Sequence, residues 1–367
     1  MSERKRSRRN LESARTEKLN NPARDDARRQ AINVSGDELV TKDLLNPGQS
    51  LPLVIRPSLG RIDAVRWAQE NHDFIEASLL EHGALLFRDF SLDTVESFEQ
   101  FIKAISGELL EYRERSSPRS EVSDRIYTST DYPANQSIFL HNENSYQRTF
   151  PLKLFFYCSV PAQQGGETPI ADCRKILQRI DPEIRERFTR KKWMYVRNFG
   201  DGFGLPWQTV FQTSDRRQVE EQCALKGIRV DWKDGNRLRV STVLPAVVKH
   251  PRTGEWSWFN HATFFHVSTL EPAMREILLE EFGEHDLPTN TFYGDGAPIE
   301  ADVLDKLREI YAGEMISFPW QQGDVMMLDN VLSAHGRSSF IGPRKILVGM
   351  AEAITREEVQ SHAGQIS

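Results

Sequence analysis

From residue 137 to residue 353 the chain offers short apolar or alternating runs separated by turn residues, and this rhythm limits the fold more than any other feature. The runs are SIFLHNE, KLFFYCSV, KWMYVRNF, LRVSTVLPAVVKH, GEMISFPW, DVMMLDNVLSAH and RKILVGMAEA. Gly165-Gly166, Asp234-Gly235, Gly294-Asp295-Gly296, Gly323-Asp324 and Gly342-Pro343 punctuate them. Runs this short suit strands, and glycine beside Asp or Pro supplies the backbone of the intervening turns. Two helical patterns interrupt, at 270–284 and 300–311. Ahead of the strands, residues 64–82 place Val65, Ala68, Phe74, Ile75, Leu79 and Leu80 at helical spacing, with Gly83 as a stop. Residues 83–90 read as a short buried strand, and 92–105 as a second amphipathic helix with Asp93 or Thr94 as N-cap. The expected architecture is mainly β with α: a β-sandwich or jelly roll with N-terminal helices and helical insertions. Such folds enclose a cavity between their sheets that can hold a small molecule.

Composition narrows the function. Of 367 residues, 27% are charged and 39% apolar, which suits a globular chain with a substantial core. The net charge of −6 implies no general attraction to nucleic acid or an anionic membrane, and no apolar run reaches membrane-spanning length. Cys158, Cys173 and Cys223 are far apart and form no CxxC pair, so a reducing cytoplasm is expected, with no disulfide framework or zinc ribbon. Residues 1–30 are rich in Arg and Lys and poor in large apolar side chains, and are expected to be a disordered basic tail. They lack the apolar segment of a signal peptide, and Glu3, Glu12, Glu17, Asp25 and Asp26 argue against a mitochondrial leader. The other use for such a tail is a docking arm for an acidic partner. Residues 31–367 are expected to form one domain.

The chemistry enters at HNE, residues 141–143. Alternate residues of a strand share a face, so His141 and Glu143 are expected to project together. Alone, the pattern far more often marks a histidine hydrogen-bonded to a carboxylate. A distant third ligand would change its meaning, and His335 in GDVMMLDNVLSAHGR is the best candidate. His261 and His266 in WFNHATFFH are rivals, but five residues apart on one strand they would face opposite ways, which makes them poor joint ligands while leaving one free to touch substrate; His250 and His285 lie elsewhere. There is no HExxH zinc motif. Two His and one carboxylate leave coordination positions open, which is the ligand set of non-haem iron(II) oxygenases. A cosubstrate such as 2-oxoglutarate has a far carboxylate that needs a cation, preferably the planar fork of an Arg. Arg344 stands at the head of the run RKILVGMAEA, with Lys345 facing the opposite side.

These residues carry a resemblance. PANQSIFLHNENSY (133–146), GGETPIADCR (165–174), DGFGLPWQTVFQT (201–213), WSWFNHATFFH (256–266) and LDNVLSAHGRSSFIGPRKILVGM (328–350) resemble, in order, the taurine dioxygenase (TauD/TfdA-like) family of iron(II)/2-oxoglutarate dioxygenases. The likeness runs from about residue 50 onward and is greatest to the subgroup around the syringomycin-pathway hydroxylase. It implies a double-stranded β-helix, or jelly-roll, core. It implies iron(II) on His141, Glu143 and His335, with the far carboxylate of 2-oxoglutarate on Arg344 and on Thr168 of the GGET block, and O2 as second cosubstrate. The chain departs from the family pattern in using Glu143 where Asp is commoner, and in a short loop between His335 and Arg344 that brings Lys345 into contention. Related halogenases lack the carboxylate and place chloride there; Glu143 therefore favours hydroxylation.

The resemblance further implies an amino-acid-like substrate of specialised metabolism, free or tethered to an acyl or peptidyl carrier protein, for which the basic tail is a docking candidate. Gln136, Asn144, Ser145 and Tyr146 flank the ligand run, and Asn198, Trp207 and Asn260 lie in polar-aromatic blocks; these are the candidate substrate contacts, with loop or sheet packing as the alternative for each. Neither nucleic acid nor a membrane is expected as partner, and a homo-oligomer is left open. A desaturase or cyclase of the same family, and a non-catalytic cupin-like binding protein, are the competing functions.

Overall fold

The long apolar runs are continuous because both faces of the strands they form are covered. The computed structural model describes residues 39–58, 60, 62–111, 121–123, 125–129, 132–200 and 204–359. The expected tail 1–30 and the ends of the expected domain, 31–38 and 360–367, lie outside the described residues. Strand Thr149–Val160 lies between Val325–Asp329 and Lys345–Thr355 in an antiparallel arrangement. Outward from these run Ala84–Phe87, Leu53–Pro57 and Val40–Leu44 on one side, and Ile126–Thr128 and Glu121–Ser123 on the other, giving an eight-stranded sheet. The period of two sorts its side chains. Phe155, Tyr157, Val325, Met327 and Leu347 pack with Trp67, Ile75, Leu79, Phe98, Phe101 and Ile105 of three helices, Ala64–Glu70, His72–His82 and Val95–Ser106. Leu154, Phe156, Met326, Leu328, Ile346 and Val348 point to the other side, where they meet Ile170, Ile316, Phe318 and Trp320. Burying one such apolar side chain is worth about 1.5–3 kcal/mol, so the two clusters hold the sheet from both faces.

On that second side lies a three-stranded sheet in the order Ile138–His141, Ser333–Arg337, Ile170–Asp172. Ile170 joins it to the face of the large sheet. A four-stranded sheet, Arg229–Trp232, Leu238–Leu244, Trp193–Phe199 and Thr289–Tyr293, places Trp193, Leu244 and Tyr293 in one apolar cluster with Leu140, Ala171 and Ala334 of the three-stranded sheet. The described residues are thus mixed α and β.

Several local expectations change. The helix over 64–82 is two helices, because Asn71 leaves helical geometry (φ −118, ψ 25) and its side-chain amide donates to Trp67 O at 2.9 Å. Gly83 caps the second one. The next helix starts at Val95, with Thr94 rather than Asp93 as cap in a reciprocal bond with Ser97. LRVSTVLPAVVKH is two strands, Leu238–Leu244 and Val247–Lys249, parted at Pro245. GEMISFPW is not a strand: Ile316 bridges Ile170 alone, and Phe318 and Trp320 serve the core. Residues 270–284 and 300–311 are helical as expected, as Pro272–Asp286 and Ala301–Glu314. Helices Cys173–Arg179, Pro182–Lys191 and Arg216–Leu225 were not anticipated; each begins at an Asp whose side chain accepts a backbone N–H, a signal that was present in the sequence.

Candidate metal centre and cosubstrate pocket

DVMMLDNVLSAH folds as two strands in two different sheets, and the turn between them builds the site. Asp329 ends the strand of the large sheet. Its Oδ1 accepts from the N–H groups of Val331 (2.9 Å) and Leu332 (3.0 Å), which turns the chain into Ser333–Arg337. There His335 is the cross-strand partner of His141, and their rings lie 4.5 Å apart. Gly336 permits the close pairing, since a Cβ there would stand 2.6 Å from Ile138 O.

Glu143 arrives differently from the expectation. The strand ends at His141, and Glu143 lies in the turn that follows rather than two residues along the same strand face. Its carboxylate still meets the imidazoles. One ligand atom from each of His141, Glu143 and His335 lies within 4.8 Å of the others, and His335 Nε2 is 3.8 Å from Glu143 Oε2. Three donors at about 2.1 Å from an octahedral ion sit about 3 Å apart, so small adjustments seat a divalent cation. The donor chemistry also fits. His141 Nδ1 donates to Phe139 O (2.8 Å), which leaves the lone pair of the neutral ring on Nε2. Two neutral imidazoles and one carboxylate leave a divalent ion with positive charge for an anionic cosubstrate. Phe264 stacks on His141 at 4.7 Å, and Phe156 from the large sheet lies 5.1 Å from His335.

Arg344 and Thr168 come together close by in the fold. Arg344 immediately precedes strand Lys345–Thr355. It donates from Nε to Gly166 O (2.7 Å), from Nη1 to Ser129 Oγ (3.2 Å) and from Nη2 to Thr168 Oγ1 (3.5 Å). Trp320 Nε1 donates to the same Thr168 oxygen at 3.2 Å. Burial, and then neighbouring Arg337, push the Arg344 guanidinium down to about 10. Such a cation gains from an anionic ligand more than an exposed one does. Lys345, by contrast, is exposed.

The candidate substrate residues divide. Ser145 and Tyr146 adjoin the triad. Ser145 Oγ is hydrogen-bonded to His261 Nδ1, and His261 lies 5.5 Å from the His141 ring. Tyr146 packs on His261, Phe265 and Tyr195, at 5.1, 5.3 and 5.5 Å. Asn144 occupies a left-handed position in the ligand turn (φ 54) and accepts from Tyr146 Oη at 3.3 Å. The other four have structural partners. Gln136 is exposed, and its carbonyl accepts from Arg337. Asn198 donates to Leu287 O and His285 O. Trp207 sits in an apolar cluster with Phe199, Val219, Cys223 and Leu238. Asn260 holds Ala246 O and Ala262 N.

His261 was set aside on strand geometry, but it lies in a non-strand segment, so the argument from opposite faces does not apply. Burial, then His141 and Arg356, hold it well below the usual imidazole range. Phe264, Asn330 and Phe156 were also missed. The FNHATFF and LDN strings contained two of them, but nothing in a string gives proximity to His141.

Comparison with known proteins places the chain in a family. Residues 49–351 match the family described as taurine catabolism dioxygenase TauD, TfdA family. The dapdiamide synthesis protein DdaC of Enterobacter agglomerans is 40% identical over 284 residues, covering 77% of this chain and 86% of that protein. A clavaminate synthase-like protein of Arabidopsis thaliana is 28% identical over 316 residues, covering 83% of this chain and 92% of that protein. In fold, the chain resembles PvcB of Pseudomonas aeruginosa, with a TM-score of 0.54 at 16% identity, over 89% of this chain and 97% of that one. A second PvcB structure, described as an Fe, alpha-ketoglutarate dependent oxygenase from an isonitrile synthetic pathway, gives 0.53 at 16% identity, over 88% and 97%. No helix among the described residues is long and apolar enough to cross a membrane. A match spanning most of the chain, together with a relative this close, makes the protein a member of the TauD/TfdA family: a dioxygenase that uses iron(II), 2-oxoglutarate and O2.

Proposed function

We propose that the protein hydroxylates an unactivated C–H bond of an amino-acid-like substrate, free or carrier-tethered, in the biosynthesis of a specialised metabolite. The observation that carries this reading is the meeting of His141, Glu143 and His335 within 4.8 Å, in a chain that also brings Arg344 and Thr168 together. His141, Glu143 and His335 would hold the iron, and Arg344 and Thr168 the far carboxylate of 2-oxoglutarate. Iron held there would supply oxygen activation, coupled to the decarboxylation of 2-oxoglutarate to succinate and CO2, with the second oxygen atom of O2 going to the substrate. The chain binds, orients and keeps water out. As an iron ligand Glu143 would take the position that a halide needs in the related halogenases, and its presence supports oxygen transfer over halogenation. We read the three-stranded site sheet and the large sheet it faces as the jelly-roll core that membership of the family leads one to expect. Tyr146, with Phe264 and Phe265, is the best candidate for a substrate wall, and Ser145 for a polar contact. The synthesis named for the dapdiamide relative supports a small, amino-acid-derived substrate. The buried free cysteines support a cytoplasmic enzyme.

Oxygen uptake matched by succinate release, over a panel of free and carrier-bound amino acids, tests the proposal. Product mass separates an alcohol, which gains one oxygen, from a desaturated or cyclised product, which loses two hydrogens. A Glu143→Ala variant that keeps full turnover would overturn the metal assignment, and tight cavity binding without oxygen uptake would favour a binding protein.

A further inference from the structure

Glu143 stands in a turn, and a turn residue has no sheet ladder to fix its direction. The fixing comes from one buried side chain. Asn330 is fully buried. Its Oδ1 accepts from Glu143 N at 2.8 Å, and its Nδ2 donates to Glu143 O at 2.9 Å and to Pro151 O at 2.8 Å. Both backbone polar groups of Glu143 therefore end on one amide. The reverse contact also exists: Asn142 Nδ2 donates to Asn330 O (2.8 Å) and Ser333 O (3.3 Å). The ligand turn and the turn that leads to His335 are thus bonded to each other in both directions.

Asn330 is itself held from behind. Asp329 caps Val331 and Leu332 with Oδ1, while its Oδ2 faces His250 Nε2 at 2.9 Å. His250 Nδ1 accepts from Arg252 N (3.2 Å) and Thr253 N (3.1 Å), so the proton lies on Nε2 and is donated to Asp329. The whole set is buried: His250 is 1% exposed and Asp329 1%. Asn330 thus holds the backbone of Glu143, and Asp329 and His250 stand one step behind it.

We infer that Asn330 is the positioning residue for the metal-ligating carboxylate, and that the His250–Asp329 pair sets Asn330. This rests on the proposed metal site. Outer partners of metal ligands characteristically change metal affinity by about 10- to 100-fold. The inference makes a sharper statement: the effect of Asn330 passes through Glu143 alone.

The test is cobalt(II) binding to the full-length chain without oxygen, read by calorimetry and by the cobalt ligand-field spectrum. Four proteins are compared: wild type, Asn330→Ala, Glu143→Ala and the double variant. Asn330→Ala is expected to weaken binding roughly 10- to 100-fold and to alter the spectrum. In the Glu143→Ala background, removing Asn330 is expected to change the residual two-histidine affinity by less than about twofold, because double-mutant cycles isolate the shared term. Equal losses in both backgrounds would overturn the inference, because Asn330 would then act on the fold at large. Unchanged binding in Asn330→Ala would overturn it too. If Glu143→Ala itself binds cobalt as the wild type does, the metal assignment fails instead. Should Asn330→Ala not fold, Asn330→Ser leaves an uncharged hydroxyl in the same place; it is expected to weaken cobalt binding with the same dependence on Glu143. His250→Gln, which can keep the donor to Asp329, is expected to bind more tightly than His250→Leu, and equal affinities would remove the His250–Asp329 pair from the account.

Discussion

Replacing Arg344 by Lys keeps the positive charge and removes the fork. In the structure Nε is committed to Gly166 O at 2.7 Å, which fixes the guanidinium plane, while Nη1 and Nη2 face Ser129 and Thr168. A lysine has one nitrogen, which cannot hold Gly166 O and present two parallel donors to a carboxylate. One lost charge-assisted hydrogen bond is worth about 1.5–3 kcal/mol. At about 1.4 kcal/mol per factor of ten, Arg344→Lys is expected to weaken 2-oxoglutarate binding about 10- to 100-fold. Arg344→Met removes the charge as well and is expected to weaken it further. Its fold should not suffer in proportion, because burial already disfavours the cation, pushing it down to about 10. Calorimetric titration of the manganese-loaded, oxygen-free protein with 2-oxoglutarate gives the affinities, and urea melts give the stabilities. Exposed Lys345 serves as control: Lys345→Ala should bind as wild type. Wild-type affinity in both Arg344 variants, or a loss confined to Lys345→Ala, would refute the reasoning.

Gly166→Ala should act on the same pocket, since its φ of +74 disfavours a side chain and a Cβ would lie 3.0 Å from Arg344 Cδ and 2.9 Å from Ala162 Cβ; a rise in KM for 2-oxoglutarate with modest loss of Tm is expected. Ligand binding should also stabilise the fold: 2-oxoglutarate at 100 times its Kd is expected to add about 2.7 kcal/mol, read as a rise in Tm that Arg344→Met at the same concentration loses. Asp324→Ala strands the buried Arg88 guanidinium, now bonded to both carboxylate oxygens at 2.9 and 2.6 Å, and should cost about 3–5 kcal/mol in urea unfolding. His266 is held down to about 4 by burial and then by Arg308 and Arg275. Below its unfolded value of about 6.5 the unfolded chain takes up a proton that the folded one refuses, so this stability, present above pH 6.5, is lost as pH falls toward 4. His266→Asn, which can keep the cap on Ser268 N, should flatten the dependence of the urea midpoint on pH in that window.

Different parts of the molecule were legible to different degrees. The run VMML could be recognised as a strand because both its faces are buried, and the alternation of Met326 and Leu328 against Val325 and Met327 follows from the period of two. The helix at 95–106 was legible in its apolar spacing and in its Thr cap. The division of DVMMLDNVLSAH between two sheets was not legible, because it depends on Asp329 bonding to backbone N–H groups that any sequence would supply. His261 was misjudged for a similar reason: spacing arguments hold only inside a regular element, and this segment is irregular. Asn198 and Trp207 stand out in the sequence by residue type, and the structure gives each a local partner: Asn198 Nδ2 donates to Leu287 O, and Trp207 Nε1 to Asn236.

By itself the sequence determined which chemistry was available: two histidines and a carboxylate, an arginine after the second histidine, and enough apolar period-two runs to build sheets around them. Those are local properties, carried by residue type and spacing. Only the tertiary structure decided that His141 and His335 stand opposite each other across a ladder, that Glu143 approaches from a turn held by Asn330, and that Arg344 and Thr168 meet through a hydrogen bond. These are contacts between residues far apart in the chain. Their positions follow from close packing and from satisfying buried hydrogen-bonding groups, which are properties of the whole fold and of no single stretch of it.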